Sequence, residues 1–265
     1  MEESSLYETL AAKLADFSYY DFEKLNNGDL IFGDSLLADW RFYQSENVSD
    51  KLKESVFCAV NKILKQIYIV FRGSEPSFLD IEQFLKDWCV SDLKMLFGQL
   101  PLNFEEFFGY VEEIKKEFSD YEIMMTGHSL GGSVAQLIGA VKENENIKTY
   151  TFNAFGTKQL GKCLEEKQIE MNYNPENIKN FRVESDVVSN RTEHFGAVYT
   201  VEYNKELGQI LSSILKETPK IFVNLSQKVV KSAKAYLKGF KYTAKTLDSH
   251  FMNNFKDGYH YKKED

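Results

Sequence analysis

The stretch Tyr121–Gly132, YEIMMTGHSLGG, decides the fold. Tyr121 to Thr126 is short, mostly apolar and free of Gly and Pro, which predicts a buried strand. Gly127-His128-Ser129-Leu130-Gly131 then fits G-x-S-x-G, and the run SVAQLIGAV from Ser133 to Val141 predicts a helix. Strand, tight turn and helix form the setting in which such a serine serves as a nucleophile. The turn holds Ser129 in a strained backbone conformation with its hydroxyl at the tip of the sheet. Side chains at Gly127 or Gly131 would collide with the neighbouring strand and helix. The helix beside Ser129 aims its free N–H groups and positive dipole end at the reacting centre. The plain alternative is a glycine-rich turn with an incidental serine. The context and the extension to GHSLGG favour the nucleophile.

Working outward, Ser55 to Asn61 and Gln66 to Phe71 alternate and are rich in Val, Ile and aromatics, so they predict two strands joined by a tight turn. Trp40 to Tyr43 is ambiguous. Ser4 to Phe17 carries Leu6, Leu10, Leu14 and Phe17 at helical spacing, with Ser4 or Ser5 as the cap. Ser77 to Leu96 predicts a helix or broken helix, and Phe104 to Phe118 a second one leading into the Tyr121 strand. Beyond the serine, Ile147 to Phe152 and Asn177 to Val183 read as strands, and Ala197 to Glu202 as the last strand. Ile210 to Phe240 is helical by periodicity, interrupted near Pro219, and Tyr242 to Phe255 reads as a final short helix. Strands alternating with helices predict an α/β fold with a mostly parallel central sheet and helices on both faces. The reading is of a single domain over residues 1–265, with a helical insertion or cap around 205–245.

The bulk properties are compatible with this. At 265 residues, 43% of them hydrophobic, the chain can bury a sizeable core, and only 15 Gly and 4 Pro leave no long flexible linker. The acidic, amphipathic N-terminus is no cleavable signal peptide, and no run approaches the ~18 apolar residues of a membrane span. Cys58, Cys89 and Cys163 are scattered without metal-ligand spacing and fit reduced thiols. The expectation is cytoplasmic synthesis, with export by a leaderless route left open. Metal-ligand clusters, dinucleotide glycine fingerprints and phosphate-binding loops are not evident, so no metal or other cofactor is expected.

Net charge is −8. Lys216 to Lys245 holds eight Lys against one Glu, or +7, so the remainder carries −8 − 7 = −15. That distribution disfavours nucleic acid and allows a local contact with an anionic surface. Between Ile221 and Phe240 apolar residues recur at steps of three and four, with Lys228, Lys231, Lys234 and Lys238 between them. A body helix with its lysines in water is the plain reading, and a basic amphipathic helix on an anionic membrane the sharper one.

Acyl transfer needs a nucleophile, a base, an orienting carboxylate and donors for the oxyanion. Ser129 is the candidate nucleophile. The carboxylate belongs at the end of a strand after the elbow helix, and in FRVESDVVS that residue is Asp186. The chain has four histidines. His128 adjoins the nucleophile, so its side chain points away and supports the turn. His194 follows Asp186 by only eight residues and would struggle to reach both partners. His260 lies in DGYHYKKED, a charged end expected to fray. His250, in LDSHFMNNF, has apolar neighbours to anchor it and is the chosen base, with His194 and His260 as alternatives. Nucleophile, Asp, His is the chain order usual for the α/β-hydrolase fold.

The blocks VFRGSE (Val70–Glu75), Asp87-Trp88, TGHSLGG (Thr126–Gly132), YTFNAFG (Tyr150–Gly156) and VESDVVS (Val183–Ser189) together resemble the class 3 lipase family. The resemblance covers Ser55 to Ser189, with a looser likeness of SHFMNNF to the histidine segment of bacterial members. It implies an α/β-hydrolase fold and a serine ester hydrolase acting on lipids or other acyl esters. Ser129 matches the nucleophile and Asp186 the acid. Ser74 matches the residue whose N–H and hydroxyl help form the oxyanion hole, and the Leu130 N–H matches the second donor. The segment after Ser74, with Phe78, Leu79, Ile81 and Phe84, matches the lid. Two blocks depart from the family pattern: the usual YTFGSP is YTFNAFG here, and SNRTEHFG replaces a proline-rich loop after the acid. The competing reading is a non-catalytic membrane- or partner-binding protein that keeps the fold.

Overall fold

A computed structural model describes residues 2–3, 5–32, 34–73, 100–101, 103–184, 186, 189–190, 192–202, 252–255 and 259–264. The segment after Ser74, the helical insertion around 205–245, the lysine-rich stretch within it and His250 lie outside the described residues, as does Ser74 itself.

The described residues form one nine-stranded sheet in the order β1-β9-β8-β7-β6-β5-β4-β3-β2. The strands are β1 (Glu2–Glu3), β2 (Arg41–Tyr43), β3 (Val56–Asn61), β4 (Gln66–Phe71), β5 (Glu122–His128), β6 (Lys148–Phe152), β7 (Ile178–Val183), β8 (Ala197–Val201) and β9 (His260–Lys263). From β4 to β8 every pairing is parallel, and the outer pairings on both sides are antiparallel.

Alternation along the central strands explains the two covered faces, because successive side chains of a strand point to opposite sides. Ile67, Ile69 and Phe71 of β4 join one cluster, with Cys58, Met125, and Phe107 and Ile114 of the helix α2 (Phe104–Glu117). Tyr68 and Val70 join the other, with Phe57, Met124, and Leu10, Leu14 and Phe17 of α1 (Leu6–Phe17). Each such Leu or Phe removed from water contributes about 1.5–3 kcal/mol. α1 begins at a capping box: the Ser5 side chain accepts from the Glu8 N–H, and the Glu8 carboxylate accepts from the Ser5 N–H. Buried Glu8 also accepts from Lys179 Nζ at 2.7 Å, which ties this helix to β7.

Three sequence readings change. The helix expected from Ser133 begins four residues earlier, as α3 (Ser129–Gly139). Its glycines read locally as a turn, yet they occupy the first helical turn because only glycine fits against the neighbouring strand. The strand at Ala197 is not the last, since β9 follows it in the chain and pairs with both β8 and β1. The end expected to fray therefore holds a strand. Tyr259 and Tyr261 are each 5% exposed while His260 between them faces outward, so a short period-two pattern anchors a charged segment.

Candidate active site

β5 lies between the parallel strands β4 and β6 and delivers Ser129 at its carboxyl end. His128, the last residue of β5, is extended (φ −113°, ψ 148°), and Ser129 turns to φ +54°, in the left-handed region. A non-glycine residue there carries strain, which packing around it must sustain. That packing is close. A Cβ on Gly131 would meet the Phe71 carbonyl oxygen at 2.2 Å, and one on Gly127 would meet the Gly131 carbonyl carbon at 2.5 Å. Ser133 Oγ, one turn into α3, lies 3.2 Å from the Ser129 carbonyl and 3.0 Å from that of Phe155. Ser129 is 3% exposed, and Leu130, the second matched oxyanion donor, sits in the first turn of α3.

β4 brings a second segment to the same place. A Cβ on Gly73 would lie 3.3 Å from Ser129 Cβ, 2.6 Å from the His128 carbonyl oxygen and 2.4 Å from Tyr19 Oη. The chain therefore passes alongside Ser129 at Gly73. Tyr19, just past α1, is hydrogen-bonded through Oη to His128 Nδ1 at 2.6 Å. Burial holds its phenol well above the ordinary range, so it stays protonated. His128 is thus buried and tied to the segment that follows α1.

Asp186 follows β7, two strands from β5 and at the same edge of the sheet, roughly 10 Å away by strand spacing. It is 1% exposed. Its Oδ2 accepts from the Ser189 N–H at 2.7 Å and from Ser189 Oγ at 2.5 Å. Asn190 Nδ2 closes the same turn through the Val183 carbonyl at 3.0 Å and that of Glu184 at 3.1 Å. Such contacts, spanning three to seven residues, are local turn chemistry. Asn153, where the family pattern has glycine, adopts φ +44° and accepts the Val183 N–H at 2.9 Å through Oδ1. Asn tolerates that conformation, and here it also secures the strand end that carries the acid.

Of the other histidines, His260 is exposed on β9. His194 is buried and already committed: Nδ1 lies 2.9 Å from Gln136 Nε2 and Nε2 lies 2.9 Å from the Ser189 carbonyl. Ser74 and His250 lie outside the described residues. Ser189, Asn190, Asn153, Gln136 and Tyr19 were not singled out from the sequence. Only the Ser-Asn pair just after the acid carries a local signal, since the partners of the others come from distant elements.

A mostly parallel sheet covered on both faces, with a strained serine between the strand β5 and a buried helix, defines an α/β-hydrolase. The chain matches the family model described as phospholipase-like, with a Tle-like phospholipase domain, over residues 11–234. It belongs to that family and is a lipase-like ester hydrolase of class 3 lipase type. A triacylglycerol lipase whose catalytic centre is a serine-protease triad shares the fold at 18% identity and TM-score 0.50, covering 77% of this chain and 84% of that one. The Rhizomucor miehei lipase–propeptide complex matches at 18% identity and TM-score 0.46 over 76% and 70% of the two chains. A triacylglycerol lipase from Penicillium expansum matches at 13% identity and TM-score 0.42 over 77% and 83%. No curated protein matches the chain.

Proposed function

We propose that the protein hydrolyses the acyl esters of phospholipids through Ser129, Asp186 and His250. The observation that carries this reading is the left-handed Ser129 at the start of a buried helix, on the sheet edge where Asp186 also sits. The phospholipase character of its family supports the substrate class.

In this mechanism Ser129 Oγ attacks the ester carbonyl carbon while His250 takes the hydroxyl proton. Asp186, ionised, stabilises the imidazolium that forms. The carbonyl oxygen becomes an oxyanion and accepts from the Leu130 N–H and from the N–H and hydroxyl of Ser74. The ester C–O bond breaks, the imidazolium protonates the departing alcohol, and the acyl group remains on Ser129. Water, deprotonated by His250, then attacks the acyl carbon. The fatty acid leaves and Ser129 recovers its proton.

Ser129→Ala, Asp186→Asn and His250→Ala should each lower turnover on the order of 10⁴-fold or more, while His260→Ala leaves it unchanged. Lipid extract incubated with the protein, then surveyed by mass spectrometry, should gain free fatty acid and a deacylated phospholipid, and Ser129→Ala should abolish both. Failure of Ser129 to react with a fluorophosphonate in the folded protein would reject catalysis altogether. Activity retained in His250→Ala and lost in His260→Ala would reassign the base.

A further inference from the structure

His194 stands beside the catalytic machinery without belonging to it. Its ring links two parts of the site that are far apart in sequence. Gln136 projects from α3, the helix that begins at Ser129, and is fully buried. Its Oε1 accepts from the Thr157 N–H at 2.9 Å, Thr157 Oγ1 at 2.8 Å and the Phe195 N–H at 3.2 Å. Its Nε2 donates to Asn180 Oδ1 at 2.6 Å, and Asn180 is itself held through Nδ2 by the carbonyls of Phe195 and Ala197.

These partners fix the amide. Turned over, its NH₂ would face the backbone N–H donors of Thr157 and Phe195. Gln136 therefore donates to His194 Nδ1, and an imidazole that accepts at Nδ1 carries its proton on Nε2. That Nε2–H points at the Ser189 carbonyl, 2.9 Å away. The N–H and hydroxyl of Ser189 in turn hold Asp186 Oδ2. Arg182 Nη1 also reaches the Ser189 carbonyl at 3.2 Å, with its guanidinium paired to Glu264.

We infer that His194 is a positioning residue for Asp186: it carries the fixed geometry of the helix behind Ser129 into the turn that aims the acid. Each link runs donor to acceptor in one direction, from Gln136 to His194 to Ser189, and Ser189 then donates to Asp186. The inference rests on Asp186 being the triad acid, so the test separates the two.

His194→Leu can neither accept nor donate. His194→Asn is polar but too short to span both partners, and His194→Gln can accept with one atom and donate with the other. On a short soluble ester, His194→Leu and His194→Asn should lower kcat about tenfold with KM unchanged, and His194→Gln should recover most of the loss. The second-order rate of Ser129 labelling by a fluorophosphonate should fall in parallel. If His194 acts only through Asp186, His194→Asn should add no loss in the Asp186→Asn background. An equal loss in both backgrounds, or a lowered Tm with wild-type kcat in the folded fraction, would overturn the inference while leaving the triad intact. Wild-type turnover in Asp186→Asn alone would sink the triad reading and this inference together.

Discussion

The buried imidazole of His194 has a cost that depends on pH. In the unfolded chain a histidine binds its proton near 6.5, but in the fold burial pulls the pKa of His194 down to about 4, with nearby Arg182 acting in the same direction. The Ser189 carbonyl and the charges of Glu264 and Asp186 act in the opposite direction and only partly offset it. Between these two values the unfolded state holds a proton that the folded state does not. Stability is therefore full above pH 6.5 and falls as pH drops towards 4, by on the order of 3 kcal/mol in total. Urea unfolding at several pH values should show this slope in the wild type. His194→Gln, which cannot titrate, should show a shallower one, and identical slopes would rule out the assignment. At this scale the serine and the carboxylate could be singled out as candidates because their residue types stand at the ends of recognisable elements. The part played by His194 was not. Its partner Gln136 lies 58 residues away and reaches it only through the fold.

Among the elements, the close approach of α3 to β4 sets the geometry of the nucleophile. The atoms that a Cβ on Gly131 would meet are backbone: the carbonyl oxygen and carbon of Phe71 and the carbonyl carbon of Arg72. They cannot rotate aside, so Gly131→Ala must push the helix off the strand and displace the Leu130 N–H. A loss of about 3 kcal/mol or more is expected, together with loss of fluorophosphonate labelling. Gly109 lies in α2 with nothing within 4 Å of an added Cβ. There the same change should be neutral or stabilise by up to about 1 kcal/mol. Denaturant curves of the two variants check the contrast, and wild-type stability in Gly131→Ala would refute it. β4 matches its sequence reading residue for residue and β3 to within one, because alternation and a tight turn are local. The start of α3 was misplaced because tertiary packing outweighs the weak helix propensity of glycine. β9 was missed because four residues reveal a strand only when their partners are known.

Over the whole molecule, the alternation of strands and helices was enough to anticipate a parallel sheet with two covered faces. The antiparallel β3–β4 pairing was within reach through its tight turn, but that of β1 with β9 was not, since a pairing between the first and last strands leaves no local signature. On one buried face, a single strand in from the end of the sheet, Cys58 of β3 is completely enclosed, with Sγ 3.5 Å from Tyr110 Oη of α2. Burial pushes its thiol up to about 12. Alkylation needs both access and a thiolate, and the closed protein offers Cys58 neither. Iodoacetamide should therefore modify Cys58 at least on the order of 10³-fold more slowly than in urea-unfolded chain, with peptide mass spectrometry separating it from Cys89 and Cys163. A rate near the unfolded one would mean that the strand breathes freely. Otherwise the sulfur serves as a built-in clock: under native buffer its slow modification times how often helix and sheet part company, on the enzyme as it works.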